Sequence, residues 1–222
     1  MLYNKELIVQ YIDELLINLT EFFRNASLWQ FLKKELLPTM IHEPAINVWH
    51  AGCSTGEEAY SMAIVLKQLS LLRRARLLAT DLSSKALTIA KKGVYNNLLW
   101  PACQRSFLRY ESTGKIERYF SKEEEEFYIV GSMNNKIRFK RHNLVQESIG
   151  EQFKLIFCRN VMIYFDQRLK QKVLEKLYDA LEADGYLIIG FYDMLPETAR
   201  AMFKLHCPTN RIYTKNLAYK PT

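Results

Sequence analysis

Residues 46–50, Ile-Asn-Val-Trp-His, run straight into Ala51-Gly52-Cys53-Ser54-Thr55-Gly56, and a stretch with helical apolar spacing then opens on Glu57-Glu58. A short apolar run, a glycine-bearing turn and a helix start form one strand–turn–helix unit. Ser54-x-x-Glu57 and Thr55-x-x-Glu58 both read as capping boxes for that helix, which reaches to about residue 72. Residues 76–80 give a second strand, and Ser84–Lys92 a second helix closed by Gly93. Alternation of this kind requires a parallel sheet with helices on its faces, because parallel neighbours need a crossover between them.

The remainder extends this α/β pattern. Leu7, Ile8, Tyr11, Ile12, Leu15 and Leu16 mark an amphipathic helix over residues 1–17, and a second helix is expected over 28–37, stopping at Pro38. Residues 127–130 and 136–141 read as two strands around a 131–135 turn, a small β-hairpin insertion, while 96–126 is the least readable stretch. Phe153–Cys158 reads as a central strand, and Leu169, Val173, Leu174, Leu177 and Leu181 as the inner face of a helix. Asp184-Gly185 turns the chain into a strand over 186–191, and residues 211–214 form a last, antiparallel strand.

A chain of 222 residues fits one large α/β domain with a small appendage, and 49% hydrophobic residues fill a core without a disulfide or metal staple. Cys53, Cys103, Cys158 and Cys207 lie far apart, as do His42, His50, His142 and His206, so no metal site is expected. No apolar run approaches the roughly 18 residues of a membrane span, and the first residues carry no export signal. The expectation is a cytoplasmic protein without membrane insertion. A formal charge of +7 favours an acidic partner, either a glutamate-rich protein or nucleic acid.

Gly52 and Gly56 let backbone approach a bound ligand closely. The turn is not Gly-x-Gly-x-x-Gly and has no phosphate-binding Lys, so a pyrophosphate or triphosphate fits poorly. Asp81 follows the second strand about 25 residues after Gly56, near the offset at which an acid grips ribose hydroxyls. Together these point to an adenosine cofactor without phosphates, S-adenosylmethionine; a nicotinamide-dinucleotide fold that has lost a glycine gives a similar pattern. Either Glu57 or Glu58 caps the helix, where the dipole favours a carboxylate, and the other can take the cofactor's amino group. Arg159-Asn160 ends the central strand, where open α/β sheets place their ligands.

Five strings taken together resemble the chemotaxis receptor methyltransferases, the CheR family: Asn18-Leu-Thr-Glu-Phe-Phe-Arg24, Trp49-x-Ala-x-x-Ser-Thr-Gly-Glu-Glu-x-Tyr60, Ala79-Thr-Asp81, Asn143-Leu144 and Phe157-Cys-Arg-Asn-Val-Met-Ile-Tyr-Phe-Asp166. The resemblance implies a Rossmann-like S-adenosylmethionine-dependent methyltransferase with a mostly parallel sheet, a short helical segment over residues 1–40 packing on the cofactor site, and the methyltransferase domain over 41–222. It implies methyl transfer to glutamate carboxylates of an acidic protein such as a chemoreceptor cytoplasmic helix, leaving S-adenosylhomocysteine, with no nucleic acid as substrate.

By the same resemblance Asn18, Thr20 and Arg24 line the cofactor site, with Ala51 and Gly52 in its turn. Glu58 and Asp81 hold the methionine amino group and the ribose, and Asn143 and Leu144 flank the adenine. Arg159 and Asn160 close the pocket, and Arg24 and Tyr164 lie nearest the transferred methyl. The chain departs from the family in having only 17 residues before Asn18, Ala59 where proline is usual, and Gly190-Phe-Tyr-Asp193 in place of Gly-His-Ser-Glu. Two other functions fit these departures and the basic surface: a shortened relative that binds the cofactor or its product without catalysis, and a nucleic-acid methyltransferase. The second lacks the Asn/Asp-Pro-Pro-Tyr loop expected after the central strand.

Overall fold

The computed structural model describes residues 20–131 and 133–219. The helix expected over residues 1–17, and Asn18, lie outside the described residues. α1 (Ala26–Phe31) continues as a π turn (Leu32–Leu36) and a 3-10 turn (Leu37–Met40). The helical segment therefore does not stop at Pro38, which occupies the first turn of the 3-10 stretch, where its missing N–H breaks no bond.

β1 (Ile46–Ala51), α2 (Glu57–Gln68), β2 (Ala75–Asp81) and α3 (Ser84–Lys92) follow in the expected order. Ser83 caps α3 by accepting from Ala86 N at 3.0 Å, and Gly93 ends it in the left-handed region. The formerly unreadable stretch holds β3 (Val94–Asn96), α4 (Trp100–Tyr110) and β4 (Phe120–Lys122). Then come β5 (Glu126–Ile129), β6 (Ile137–Arg141), β7 (Phe153–Cys158), α5 (Gln167–Ala180), β8 (Leu181–Ile189), β9 (Phe203–Cys207) and β10 (Ile212–Lys215). No helix among the described residues is long and apolar enough to cross a membrane.

The main sheet has the order β6-β2-β1-β7-β8-β10-β9; the first five strands are parallel, and β10 is antiparallel to both its neighbours. β7 is buried along its whole length and shows the two-residue alternation directly. Leu155 and Phe157 face a core shared with α1, α2 and α4, while Ile156 and Cys158 face a second core under α5. The one charge in β7, Lys154, is satisfied by Glu43 at 3.0 Å and Asp184 at 2.6 Å. β8 already begins at Leu181, and Asp184-Gly185 lies in a wide irregularity between the pairs Phe153↔Leu181 and Leu155↔Tyr186, not in a turn before the strand.

The expected hairpin is corrected. β5 pairs antiparallel with β3 and β4 in a separate three-stranded sheet, whereas β6 leaves it to become the parallel edge strand beside β2. Phe127 of β5 packs on Tyr95, Phe120 and Trp100, while Ile137 of β6 pairs with Leu77 of β2. Phe22 inserts into the same small sheet, edge-on to Tyr95 at 5.1 Å and Phe120 at 4.9 Å. Phe23 turns the other way and stacks on Tyr110 at 4.7 Å, its amide bonded to Ser61 Oγ at 2.9 Å. Its φ of 52° is unusual for an aromatic residue and is held by this burial.

Glu57 is also buried, with Thr55 Oγ1 as its side-chain partner at 2.7–2.8 Å. Burial pushes its carboxyl up to about 7, against the Thr55 hydrogen bond, which pulls it down. The folded state thus holds this proton more tightly than the unfolded chain does. Its stabilising effect is complete below pH 4.5 and is lost as pH rises to about 7. Glu57→Gln should remove about 3 kcal/mol of the stability loss seen between pH 4.5 and 8. Urea unfolding across that range checks this, and an unchanged pH profile rejects it.

Candidate active site

A cavity of about 440 Å³ opens at the carboxyl ends of β1, β2, β6 and β7. Chain order reverses there: from β1 the sheet grows through β2 on one side, and through β7 on the other. Loops therefore diverge and leave a crevice, the usual ligand position in such sheets. The β1–α2 turn forms one wall. Gly52 has a φ of +85°, and a Cβ on it would lie 2.3 Å from Val161 Cγ2, so any other residue would be strained and would have to displace Val161. Asp81 organises the turn by accepting from Ser54 N at 2.7 Å and Ser83 N at 2.9 Å. The two expected capping boxes do not form: Gly56 is the N-cap of α2, and Thr55 bonds Glu57 instead.

A buried charge cluster forms the floor. Glu58 faces the cavity, whereas Glu57 does not line it. Glu58 Oε1 accepts from His50 Nδ1 at 2.9 Å, and Oε2 from Arg159 Nη1 at 2.8 Å. Burial opposes ionisation of Glu58, but the His50 hydrogen bond and the Arg159 charge outweigh it and hold the carboxyl below its ordinary value. Arg159 Nη2 also reaches Asn25 Oδ1 at 2.5 Å and the Arg24 carbonyl at 3.4 Å. This ties the 20–25 segment to the tip of β7. Trp29 Nε1 donates to the same Arg24 carbonyl at 3.0 Å.

The β7 and β8 tips are locked by Asp193, which is fully buried. Its Oδ2 accepts from Asn160 N at 2.6 Å and Gly190 N at 2.9 Å. Burial raises its carboxyl above the ordinary value despite these backbone bonds and Arg159 nearby. Asn160 is left-handed, with a φ of 59°, a conformation asparagine tolerates better than most residues. On the far wall Asn143 Oδ1 accepts from Val145 N at 3.0 Å and Gln146 N at 3.2 Å. Lys176 of α5 donates to the carbonyls of Leu144, Val145 and Glu147, pinning that loop.

Thr20, Arg24, Gly52, Glu58, Asp81, Asn143, Leu144, Arg159, Asn160 and Tyr164 all line this cavity. Ala51 does not: strand alternation turns its side chain into the core beneath α5, and the accessible turn starts only at Gly52. Sequence reasoning missed His50, Asn25, Asp193 and Lys176. An acid just past a strand end was a legible signal for Asp193, as it was for Asp81. Nothing in the sequence marks the other three.

The family model described as CheR methyltransferase, SAM binding domain, matches residues 18–211. Similar chains include a chemotaxis protein methyltransferase of Listeria innocua, 34% identical over 83% of this chain and 68% of its own. One of Borreliella burgdorferi is 31% identical over 94% of this chain and 74% of its own, and one of Vibrio cholerae 30% over 95% and 77%. Among solved structures, the plantazolicin methyltransferase BpumL with S-adenosylhomocysteine has a TM-score of 0.44 at 16% identity, over 83% of this chain and 51% of that one. A Clostridium acetobutylicum S-adenosylmethionine-dependent methyltransferase has a TM-score of 0.39 at 14% identity, over 83% and 56%. This chain thus spans little more than half of either solved structure. With its domain match running nearly end to end, the chain belongs to the CheR family of S-adenosylmethionine-dependent methyltransferases.

Proposed function

We propose that this protein transfers a methyl group from S-adenosylmethionine to glutamate side chains of an acidic, chemoreceptor-type protein, giving a glutamate methyl ester and S-adenosylhomocysteine. One observation carries the reading: Arg24 and Tyr164, far apart in sequence, both line the cavity that the Gly52 turn, Asp81 and Glu58 also line. The residues fit the cofactor. A space of about 440 Å³ lies in the range of small-molecule sites, and its acids face it from a strand tip and a helix start. A carboxylate offers about four lone-pair sites, so Asp81 and Glu58 are the acceptor type that ribose hydroxyls and an α-amino group require.

In this reading Thr20 and the Gly52 turn enclose the methionine half, and Asn143 and Leu144 flank the adenine. Arg159 and Asn160 close the floor. The described part of the N-terminal segment, residues 20–40, supplies a wall over the cofactor through Thr20 and Arg24, and the methyltransferase domain follows from residue 41.

S-adenosylmethionine supplies an electrophilic sulfonium methyl. A glutamate side chain, with an ordinary pKa of about 4.3, is ionised at neutral pH and needs no general base. What the protein contributes is alignment, which can supply roughly 7–11 kcal/mol. Arg24 touches the acceptor through one oxygen, since a tight bidentate pair would blunt the nucleophile. Tyr164 orients the same carboxylate from the far side.

With tritiated S-adenosylmethionine and a chemoreceptor cytoplasmic fragment, base-labile label should appear on the fragment. Base-stable label, or label on nucleic acid, would overturn ester formation; tight cofactor binding with no transfer marks a binding module. Asp81→Ala should weaken S-adenosylhomocysteine binding at least tenfold in calorimetry, about 1.4 kcal/mol, and an unchanged affinity rejects its role. Arg24→Ala and Tyr164→Phe should each lower turnover of the fragment; unaltered turnover removes them from the acceptor's path.

A further inference from the structure

We propose that the loops at the tips of β7 and β8 form a docking surface for an acidic helical segment of the acceptor, one that carries apolar side chains a helical turn away from the methyl-accepting glutamate. The proposal rests on the carboxylate-transfer reading above and adds how the acceptor is held. Of eleven large apolar side chains exposed among the described residues, five lie on these two loops: Ile163 at 41%, Tyr164 at 61%, Phe191 at 57%, Tyr192 at 73% and Met194 at 64%. Single exposed apolar residues are ordinary, but a cluster marks a contact surface.

This cluster is built, not frayed. β7 and β8 pair in parallel through Cys158↔Ile189, so their loops leave the same end of the sheet side by side. Asp193 then fastens Gly190 to Asn160, and a Cβ on Gly190 would stand 2.7 Å from Asn160 N. Phe191 and Tyr192 sit edge to face at 5.3 Å, with the Arg211 guanidinium 5.5 Å from the Phe191 ring. Rigid aromatic side chains beside an arginine are the residue types that dominate binding energy at interfaces.

Position identifies the occupant. Tyr164 belongs both to the patch and to the cavity wall, so the patch borders the cavity that the carboxylate must reach. Strand addition requires a free sheet edge, and the edges of the main sheet are β6 and β9; β7 and β8 are interior. Side chains must therefore supply the contact, and a helix presents a glutamate and apolar residues at i±3 and i±4 on one face. A second copy of this chain, itself at +7, is repelled, whereas a glutamate-rich segment is attracted to Arg24 and Arg211.

The test uses two fluorescein-labelled, alanine-based helical peptides rich in glutamate. They differ only in carrying leucine or serine three and four residues from a central glutamate. Fluorescence anisotropy with the protein saturated in S-adenosylhomocysteine should show the leucine peptide binding at least tenfold tighter. Phe191→Ser/Tyr192→Ser should abolish that preference while S-adenosylhomocysteine affinity stays within twofold. The single change Met194→Ser, at an exposed position, should reduce the preference even if the double variant folds poorly. Equal binding of both peptides, or a preference that survives these substitutions, overturns the docking surface. Patch-dependent binding without base-labile methylation supports the surface and overturns carboxylate transfer; methylation indifferent to the patch does the reverse.

Discussion

The buried pair between Arg159 and Glu58 is the constraint on which the site depends. Removing two charges from water is costly, and the pair persists because each partner has further bonds: His50 on one carboxylate oxygen, Asn25 and the Arg24 carbonyl on the guanidinium. Deleting one partner of such a pair leaves the other buried and uncompensated, at a cost of about 3–5 kcal/mol. The energy matters less than the geometry it imposes. Three segments distant in sequence, the 20–25 stretch, the start of α2 and the tip of β7, are brought to one point beneath the cavity.

The 20–25 segment reaches that point because its two aromatic residues diverge. Phe22 enters the small sheet and Phe23 the core around Tyr110 and Phe107, so the intervening backbone is fixed from both sides. The left-handed φ of Phe23 and Asn25 delivers Arg24 to the cavity between them. Backbone strain of this kind is stable only when its surroundings over-determine it. Here two independent hydrophobic contacts and the Arg159 tie do so.

Strong local periodicity made most of the main sheet legible. β1, β2, β7, α3 and α5 each carry clear apolar patterning, and Gly93 marks the end of α3. Asp166 caps α5 by accepting from Leu169 N at 2.8 Å. β9 was not legible because its middle residues, Lys204, Leu205 and His206, are all exposed and show no alternation. The pairing of β5 failed for a different reason. A 3-10 turn at Asn134–Lys136 looks like a hairpin turn in sequence, and only long-range burial of Phe127 and Ile137 distinguishes the outcomes. In the site, the sequence picked out the described motif residues that line the cavity, all but Ala51, whereas most of their supports were not legible. His50, Asn25 and Lys176 act through contacts across the sheet tips that leave no local pattern.

The seat of Phe22 joins the small three-stranded sheet to the segment that lines the cavity. Tyr95 and Phe120, on different strands of that sheet, both press on this ring, and it stands two residues from the arginine at the cavity. Tyr95 also donates its hydroxyl to the Thr55 carbonyl at 2.8 Å, so the small sheet braces the cavity both through Phe22 and through the β1–α2 turn. The appendage is thus mechanically part of the cavity wall, and neither can be remodelled without retuning the other.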